Sequence, residues 1–572
     1  MIRIGDQKMK KNVKIHETKN FDDVRALIEW AAETYGEKTA YSFKLNPHSK
    51  ELEKRSFINL RDDVRALATE IVGLGLRDKN CVVIGKFTYN WVVTYFSLLC
   101  AGATIVPLDR DWAAEDLAET ALKAEAKAVF CDADILEKGK TVAEKCGLSS
   151  VITLAGEGEV SVDNLLASGA PKYAADPSVY LDYKIDADRL SLLVFTSGTT
   201  GKGKGVMLNQ RAILSDLSSI IPYIDFADKT VGVLPPHHTY GSSVMFIGHA
   251  MIGCEIYISA GLRYVVNELK EQKPGHLVFV PLYLETFYRK ITATVKDQGK
   301  EKLVRRMMKF SNFLRKIGID LRRKFFKALL APFGGDIKMI ISGGAPINSE
   351  ILEFFDGIGI TTLNGYGITE CAPIIAVNQS RNVIPGSVGP ALDIDTVKIA
   401  DPNEDGEGEI CVKGPNVMLG YYKDEDATAA AFDEDGFFKT GDYGKFGKDN
   451  AIFITGRLKN LIILSNGKNV YPEEIESEFI AVPGVVDVIV YEGKSKRGME
   501  HNAIVCEIYP DRDLLEKNSI TDPYKYFHEF VDKYNRTAVP YKKIGVLRVR
   551  EEEFPKNTLR KILRFKLDMT ID

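Results

Sequence analysis

No apolar run in the 572-residue sequence is long enough to cross a bilayer. The longest, residues 244–254 (VMFIGHAMIGC), contains a histidine and falls well short of the roughly 20 residues a spanning helix needs. The first 20 residues are basic but lack the apolar stretch of a secretory signal, so export is not expected. The eight cysteines, at 81, 100, 131, 146, 254, 371, 411 and 506, form no C-x-x-C pair, and no histidine cluster has zinc-site spacing. Neither a disulfide framework nor a zinc module is indicated, and a reducing cytoplasm is the expected compartment. Nor is there an excess of positive charge: Lys+Arg 75 against Asp+Glu 79 gives a formal net charge of -4, which argues against a nucleic-acid partner. Internal repeats and low-complexity segments are also missing.

What is present is a core-forming composition, 45% hydrophobic and 27% charged, in a chain long enough for several domains. Amphipathic helical patterns at 21–35, 59–74 and 91–101 alternate with β-branched runs at 82–84 and 103–107, which predicts an α/β layered fold. The continuous apolar run 190–195 predicts a strand buried on both faces, ending in a Gly/Thr-rich loop. Strands at 337–341 and 360–363 end in Ser342-Gly343-Gly344-Ala345-Pro346 and Asn364-Gly365-Tyr366-Gly367. Three strands running into glycine-rich loops predict a ligand crevice beyond their carboxyl ends. After Arg457 the pattern changes to helix 472–480, strands 485–491 and 502–508, helix 523–534 and strand 545–549, so a boundary is expected near 456–460.

Residues 300–327 hold eleven Lys/Arg against two acids, with Met, Phe, Leu and Ile interleaved. This predicts a basic amphipathic helical pair. It reads either as a solvated basic face or as a surface for anionic lipid headgroups or an acidic carrier protein, which would make the protein peripheral on the inner face of a membrane.

The loop 196–206 (TSGTTGKGKGV) points to phosphate. Its glycines let backbone N–H groups close on oxyanions, its hydroxyls donate, and Lys204 neutralises charge. It is not a Walker A loop, because Gly205 follows Lys204 where a Ser or Thr is required.

Together with Tyr366-Gly367-Ile368-Thr369-Glu370, Thr440-Gly441-Asp442, Gly456-Arg457-Leu458-Lys459 and Pro555-Lys556-x4-Lys561, this loop resembles the adenylate-forming superfamily. Residues 234–241, 364–373 and 456–476 are most similar to long-chain fatty acyl-CoA synthetases. The resemblance implies a large multi-layer adenylate-forming domain over 1–457 and a small mobile α+β domain over 458–572. It implies an ATP-dependent long-chain fatty acid:CoA ligase using Mg2+, ATP and coenzyme A, with delivery to an acyl carrier protein as the alternative.

The implied ATP/AMP site comprises Thr196, Ser197, Gly198, Thr199, Thr200, Gly201, Lys204, Gly343, Gly344, Ala345, Pro346, Asn364, Gly365, Tyr366, Gly367, Thr369, Asp442 and Arg457. Within it Tyr366 offers a face to adenine, Asp442 accepts from the ribose hydroxyls, Arg457 contacts ribose or phosphate and Thr369 binds the α-phosphate. Glu370 is a hard oxygen donor suited to magnesium. Lys561 is the implied catalytic cation, placed where negative charge gathers as a carboxylate attacks the α-phosphate, while Lys556 reads as structural or phosphate-facing. His238, Tyr240 and Gly241 are the implied acyl pocket, and Lys459-Asn460 the implied hinge. Residues 237–255 contain no acid before Glu255, which favours an apolar tail over an amino acid, whose ammonium needs a buried carboxylate. Three positions depart from the family pattern: Gly203 replaces the usual Pro, Asn460 a frequent acid, and Arg560 a frequent Gly.

Overall fold

Polar caps set the helix starts that periodicity alone placed a few residues away. Asp23 accepts from the Ala26 N–H, so the first helix begins at Val24 and runs Val24–Tyr35. Ser56 and Asn59 form a reciprocal capping box that starts the next helix, Phe57–Gly73, and Thr88 caps Tyr89–Cys100. These and all other elements come from a computed structural model that describes residues 14–156, 160–196, 203–464, 469–498, 502–556 and 562–571.

The largest sheet has eight strands, in the order Gly420–Tyr421, Lys204–Asn209, Leu190–Thr196, Thr104–Leu108, Asn80–Ile84, Ala128–Cys131, Ile152–Thr153 and Val160–Ser161. The six from Leu190–Thr196 onward are parallel, and the two at the other edge pair antiparallel. Alternate residues feed opposite cores. Cys81, Val83, Leu192 and Val194 pack with the helices Phe57–Gly73 and Tyr89–Cys100, while Val82, Ile84, Leu193 and Phe195 pack with Ala114–Lys123 and Leu136–Lys145. Both faces are covered, as the continuous apolar runs require.

A second sheet orders Lys229–Gly232, Glu255–Ile258, Thr39–Phe43 and Glu53–Ser56. A third orders His276–Phe279, Met339–Ser342, Thr361–Gly367 and Ile374–Val377. Here a sequence expectation is corrected: residues 364–367 are not a loop but the end of the strand Thr361–Gly367, paired antiparallel with Ile374–Val377. The partner strand lies beyond the Thr369–Cys371 turn, out of reach of local composition. Gly367 is required by close approach, since a Cβ there would lie 1.9 Å from the Pro373 carbonyl oxygen.

The fourth sheet is antiparallel: Thr396–Ala400, Gly408–Lys413, Phe438–Phe446 and Ile452–Arg457. Asp442 lies inside the strand Phe438–Phe446, beside Gly441 with φ of 70°. Strand pairing changes after Arg457. A short 3-10 turn, Leu458–Asn460, leads into a separate core around Ile462, Val470, Ile475, Val490 and Phe527, built on the helices Pro472–Phe479 and Pro523–Thr537 and the sheet Val485–Gly493, Ala503–Pro510, Val546–Val549. This part touches the rest through Arg289, whose guanidinium donates to the Val485 carbonyl at 2.9 Å, and through Lys517–Asp297 at 3.0 Å.

The basic segment is one long helix, Glu301–Lys316, followed by the one-turn helices Arg322–Phe325 and Lys327–Leu330, rather than a helical pair. Gly318 in the left-handed region, φ 84°, ends the first. Among the described residues no helix is long and apolar enough to cross a membrane.

Candidate active site

The carboxyl ends of the third sheet and the adjoining edge of the fourth face one cleft of about 3420 Å3, which also reaches the surface of the C-terminal part. Asp442 and Arg457 are directly opposed on neighbouring strands, and Arg457 Nε lies 3.0 Å from Asp442 Oδ1. The other carboxylate oxygen, Oδ2, accepts from the Tyr366 hydroxyl at 2.9 Å. Thr440 Oγ1 accepts from the Asp442 backbone N–H at 3.1 Å and donates to the Ile410 carbonyl at 2.8 Å, holding the strand at this point. Asp442 is 4% exposed. Each of its oxygens has one protein partner and a lone pair left over, the arrangement that two vicinal hydroxyls fit. Burial and the neighbouring Asp442 push the Tyr366 phenol well above its ordinary value, so it remains a donor.

Gly343, at the end of Met339–Ser342, sits against Tyr240: a Cβ there would lie 3.3 Å from the Tyr240 hydroxyl oxygen. That hydroxyl is 3.4 Å from both the Phe279 and Ile341 carbonyls, so Tyr240 bridges two strand ends beside the loop formed by Gly343, Gly344, Ala345 and Pro346. The cleft is lined here by Gly344, Ala345, Pro346, Asn364, Gly365, Tyr366, Gly367 and Thr369. Glu370 follows. Its Oε1 accepts from the Tyr421 hydroxyl at 3.0 Å, and the Lys204 ammonium lies 4.4 Å from the Tyr421 ring centre. Glu370 Oε2 has no protein hydrogen bond among the described residues, and a hard anionic oxygen facing a cleft is a donor that fits magnesium.

At Tyr240 begins the π-helix Tyr240–Gly248, which bears no charged side chain; Tyr240 and Gly241 line the cleft, while Val244, Met245, Phe246 and Ile247 pack into the core. Its wide turns bring Gly241 so close to the preceding loop that a Cβ would lie 2.0 Å from the Pro235 carbonyl oxygen. His238 precedes it, its ring 4.2 Å centre to centre from that of His237. Glu255, the first acid after this segment, pairs with Lys229 at 2.9 Å and accepts from Ser42 at 2.6 Å.

Of the expected nucleotide residues, then, the structure brings Thr196, Lys204, Gly343, Gly344, Ala345, Pro346, Asn364, Gly365, Tyr366, Gly367, Thr369, Asp442 and Arg457 around one cleft, with His238, Tyr240, Gly241, Lys459 and Asn460 on its other walls. Ser197, Gly198, Thr199, Thr200 and Gly201 of the phosphate loop, and Lys561, lie outside the described residues. The loop's anchor is described: Thr196 and Lys204 are cross-strand partners. Lys556 pairs with Asp487 at 2.6 Å and Glu553 at 2.7 Å, a structural role. Burial, with Arg457 nearby, lowers the Lys459 ammonium from its ordinary value, and Asn460 donates to Glu473 at 2.6 Å.

Sequence reasoning missed Tyr421, whose hydroxyl orients Glu370, and Asp109, 3.4 Å from His237 Nε2. Burial lowers the His237 imidazole below its ordinary value. It also missed a buried cluster behind the Thr369–Cys371 turn. There the Asn416 amide donates to Asp395 Oδ2 at 3.1 Å and to Asp216 Oδ1 at 3.4 Å, and burial pushes Asp395 up to about 7 and Asp216 well above the usual carboxylate range. No local pattern marks these residues, because each comes from a different element.

Away from the cleft, His249, His276 and Cys254 form a buried cluster of metal-ligand types. The hydrogen bonds argue against a metal. The Ala227 N–H donates to His276 Nδ1 at 3.2 Å, so the proton of a neutral His276 sits on Nε2. That proton points to His249 Nε2 at 3.0 Å, and His249 Nδ1 then donates to the Val244 carbonyl at 2.9 Å. Both rings are satisfied as neutral imidazoles, and burial lowers His249 to about 4 and, with His249 beside it, holds His276 well below its ordinary value.

Residues 28–422 match the AMP-binding enzyme family. The long-chain-fatty-acid–CoA ligase FadD15 of Mycobacterium tuberculosis is 29% identical over 452 residues, covering 75% of this chain and 74% of that protein. A chloroplastic long-chain-fatty-acid–acyl-carrier-protein ligase of Arabidopsis thaliana is 26% identical over 543 residues, covering 82% and 74%. Among solved structures, ATP-bound MatB from Rhodopseudomonas palustris superposes with a TM-score of 0.74 at 24% identity, covering 95% of this chain and 98% of that one, which establishes a shared fold. The chain belongs to the AMP-binding enzyme family and is an adenylate-forming ligase.

Proposed function

We propose that this enzyme is an ATP-dependent long-chain fatty acid:CoA ligase. In the first step a fatty-acid carboxylate oxygen attacks the α-phosphorus of ATP, forming the acyl-phosphate bond and releasing pyrophosphate. In the second the coenzyme A thiol, giving up its proton, attacks the acyl carbonyl, and AMP leaves. The observation that carries this reading is the pairing, in one cleft, of the Tyr366–Asp442–Arg457 corner with an uncharged lining made by Leu234, Pro235, Tyr240, Gly241 and Val280. The first matches a ribose, the second an alkyl chain. Glu255, already neutralised by Lys229, offers nothing to an amino-acid ammonium. The names of the two relatives support the same acid class.

In this reading Tyr366 lies against adenine with the Gly343–Pro346 loop, and Asp442, oriented by Arg457 and Tyr366, takes the ribose hydroxyls. Thr369 and the 196–204 loop take phosphate oxygens, and His238, Tyr240 and Gly241 border the carboxylate end of the acyl chain. Magnesium held at Glu370 would supply charge neutralisation on the phosphates. Residues 1–457 form the adenylation domain. Residues 458–572 form a mobile lid turning at Lys459-Asn460, and this lid delivers Lys561 to the oxygens that gain charge in the first step.

The test is mass spectrometry of products from purified protein with magnesium-ATP and fatty acids of graded length, with and without coenzyme A. Long acyl-CoAs and AMP appearing only with coenzyme A are the expected result. Lys561→Ala should lower acyl-adenylate formation by orders of magnitude while largely sparing thioester formation from supplied acyl-adenylate, and equal loss in both steps would refute that role. The Arabidopsis relative supports a second acceptor. If acyl-adenylate accumulates and coenzyme A does not discharge it, but holo acyl carrier protein does, that acceptor replaces coenzyme A.

A further inference from the structure

The helix Glu301–Lys316 has two apolar faces where a surface helix needs one. One faces inward: Met308 reaches within 2.3 Å of where a Cβ on Gly357 would lie, and Val304 and Met307 pack against the core beneath the third sheet. The other is largely exposed, with the Phe310 ring stacked on that of Phe325 at 6.2 Å. On it Leu303, Phe310, Phe313 and Ile317 are 53%, 55%, 59% and 61% exposed. At about 100° per residue these four fall within an arc of roughly 80°. Lys302, Arg305, Lys309 and Lys316 follow along one edge of the arc and Arg306 lies within it. None of these five makes an ion pair to another described residue, whereas Arg315 pairs with Asp356 at 2.6 Å, Arg322 pairs with the same Asp356 at 2.9 Å, and Arg323 donates to the Gly335 carbonyl at 2.7 Å. The basic segment thus divides into arginines that hold the protein together and cations that face outward beside protruding apolar side chains.

We propose that this outer face docks on an anionic phospholipid surface. The four apolar side chains enter the acyl boundary and the flanking Lys and Arg heads reach the phosphates, with their long stems lying along the apolar stripe. An acidic protein surface satisfies the cations but leaves four large apolar side chains to be covered, so the lipid surface accounts for both halves of the pattern. The helix packs beside Pro281–Asp297, whose Leu282, Thr286 and Lys290 line the cleft, so docking places the cleft close to the lipid. The inference stands whichever acid the cleft takes.

The test uses the full chain in sedimentation with phosphatidylcholine vesicles, with and without phosphatidylglycerol, at low and high salt. Binding is expected with phosphatidylglycerol and should weaken as salt rises. Lys302→Glu with Arg305→Glu, Arg306→Glu and Lys309→Glu should weaken it by about 10^2 to 10^3-fold. Phe310→Ser with Phe313→Ser should remove the salt-resistant remainder. Both variants should still form acyl-adenylate from a short, water-soluble acid at the parent rate, which shows that they fold. A Phe313→Trp reporter should be quenched by brominated lipid beyond what the parent shows. Equal binding to neutral vesicles, no binding at all, or binding untouched by both variants overturns the proposal. So does charge-dependent capture of an acyl carrier protein without vesicle binding, or a dimer that the Phe310→Ser/Phe313→Ser variant dissolves.

Discussion

The two walls of the cleft are built on opposite principles. In the Tyr366–Asp442–Arg457 corner the side chains are already partnered before any ligand arrives: Arg457 and Tyr366 each hold one oxygen of Asp442, and Tyr421 holds Glu370. Where Tyr240–Gly248 begins, Tyr240 and Gly241 present no charge to the cleft, and the wall is shaped by helix pitch and by the missing side chain of Gly241. Polar preorganisation fixes one substrate to within a hydrogen bond, while the uncharged wall sets a width. A corner of this kind fails when one atom changes, whereas a wall of this kind fails when volume changes.

The sharpest way to break the corner is Asp442→Asn. With Asp442 taking the ribose hydroxyls as proposed, two hydrogen bonds to a carboxylate, about 1.5–3 kcal/mol each, predict a fall in kcat/KM for ATP on the order of 10^2 to 10^4-fold. Pyrophosphate-release kinetics should show this with KM for the acid unchanged, and an equal effect on both substrates would erase the distinction between the walls. Tyr421→Phe removes one donor to Glu370. A loss of about 10 to 100-fold is expected, partly recovered at higher magnesium concentration if the hydroxyl serves to orient Glu370. Gly241→Ala tests the other wall. With a backbone oxygen 2.0 Å from the new Cβ, unfolding by denaturant should show a loss of about 1–3 kcal/mol, and KM should rise for the acid but not for ATP.

The smallest effect concerns the support behind the corner. Asp395 stays protonated in the folded chain up to about 7, whereas in the unfolded chain it titrates near 4. Between those values the folded state binds more protons. The stability this contributes is therefore fully present below about pH 4 and lost as pH rises to about 7, at no more than about 1.4 kcal/mol per pH unit. Asp216, which faces it across Asn416, is pushed in the same direction. Asp395→Asn should flatten the decline in Tm between pH 5 and pH 7.5, and an unchanged slope would remove Asp395 from the account.

The same contrast explains what could be read from the sequence. The corner was legible because its chemistry sits in short runs, 343–346, 364–370, 440–442 and 456–459, that retain their spacing in any fold. What could not be read was the pairing of residues distant in the chain. Residues 364–367 look like a loop until Ile374–Val377 pairs with them, and Asp442 shows no partner until Arg457 stands opposite. Tyr421 lies 51 positions from Glu370 and comes from an edge strand of a different sheet. The helices were placed to within a few residues by periodicity, and the error at each start was a cap: Asp23, Ser56 or Thr88. The uncharged wall was read as apolar, but its π pitch depends on how Gly241 fits beneath Pro235, which composition does not encode.

The His249–His276 pair carries one further consequence. The bonds from Ala227 through both rings to Val244 form a chain with a sense, because a peptide N–H gives a proton and a peptide carbonyl never does. The pair can exist in one protonation pattern, and adding a proton would set two N–H groups head to head. It therefore behaves as a keyed joint between the loop ahead of Lys229–Gly232 and the end of the helix Tyr240–Gly248. The joint closes in one orientation and stays closed while histidines exposed to solvent are already charged.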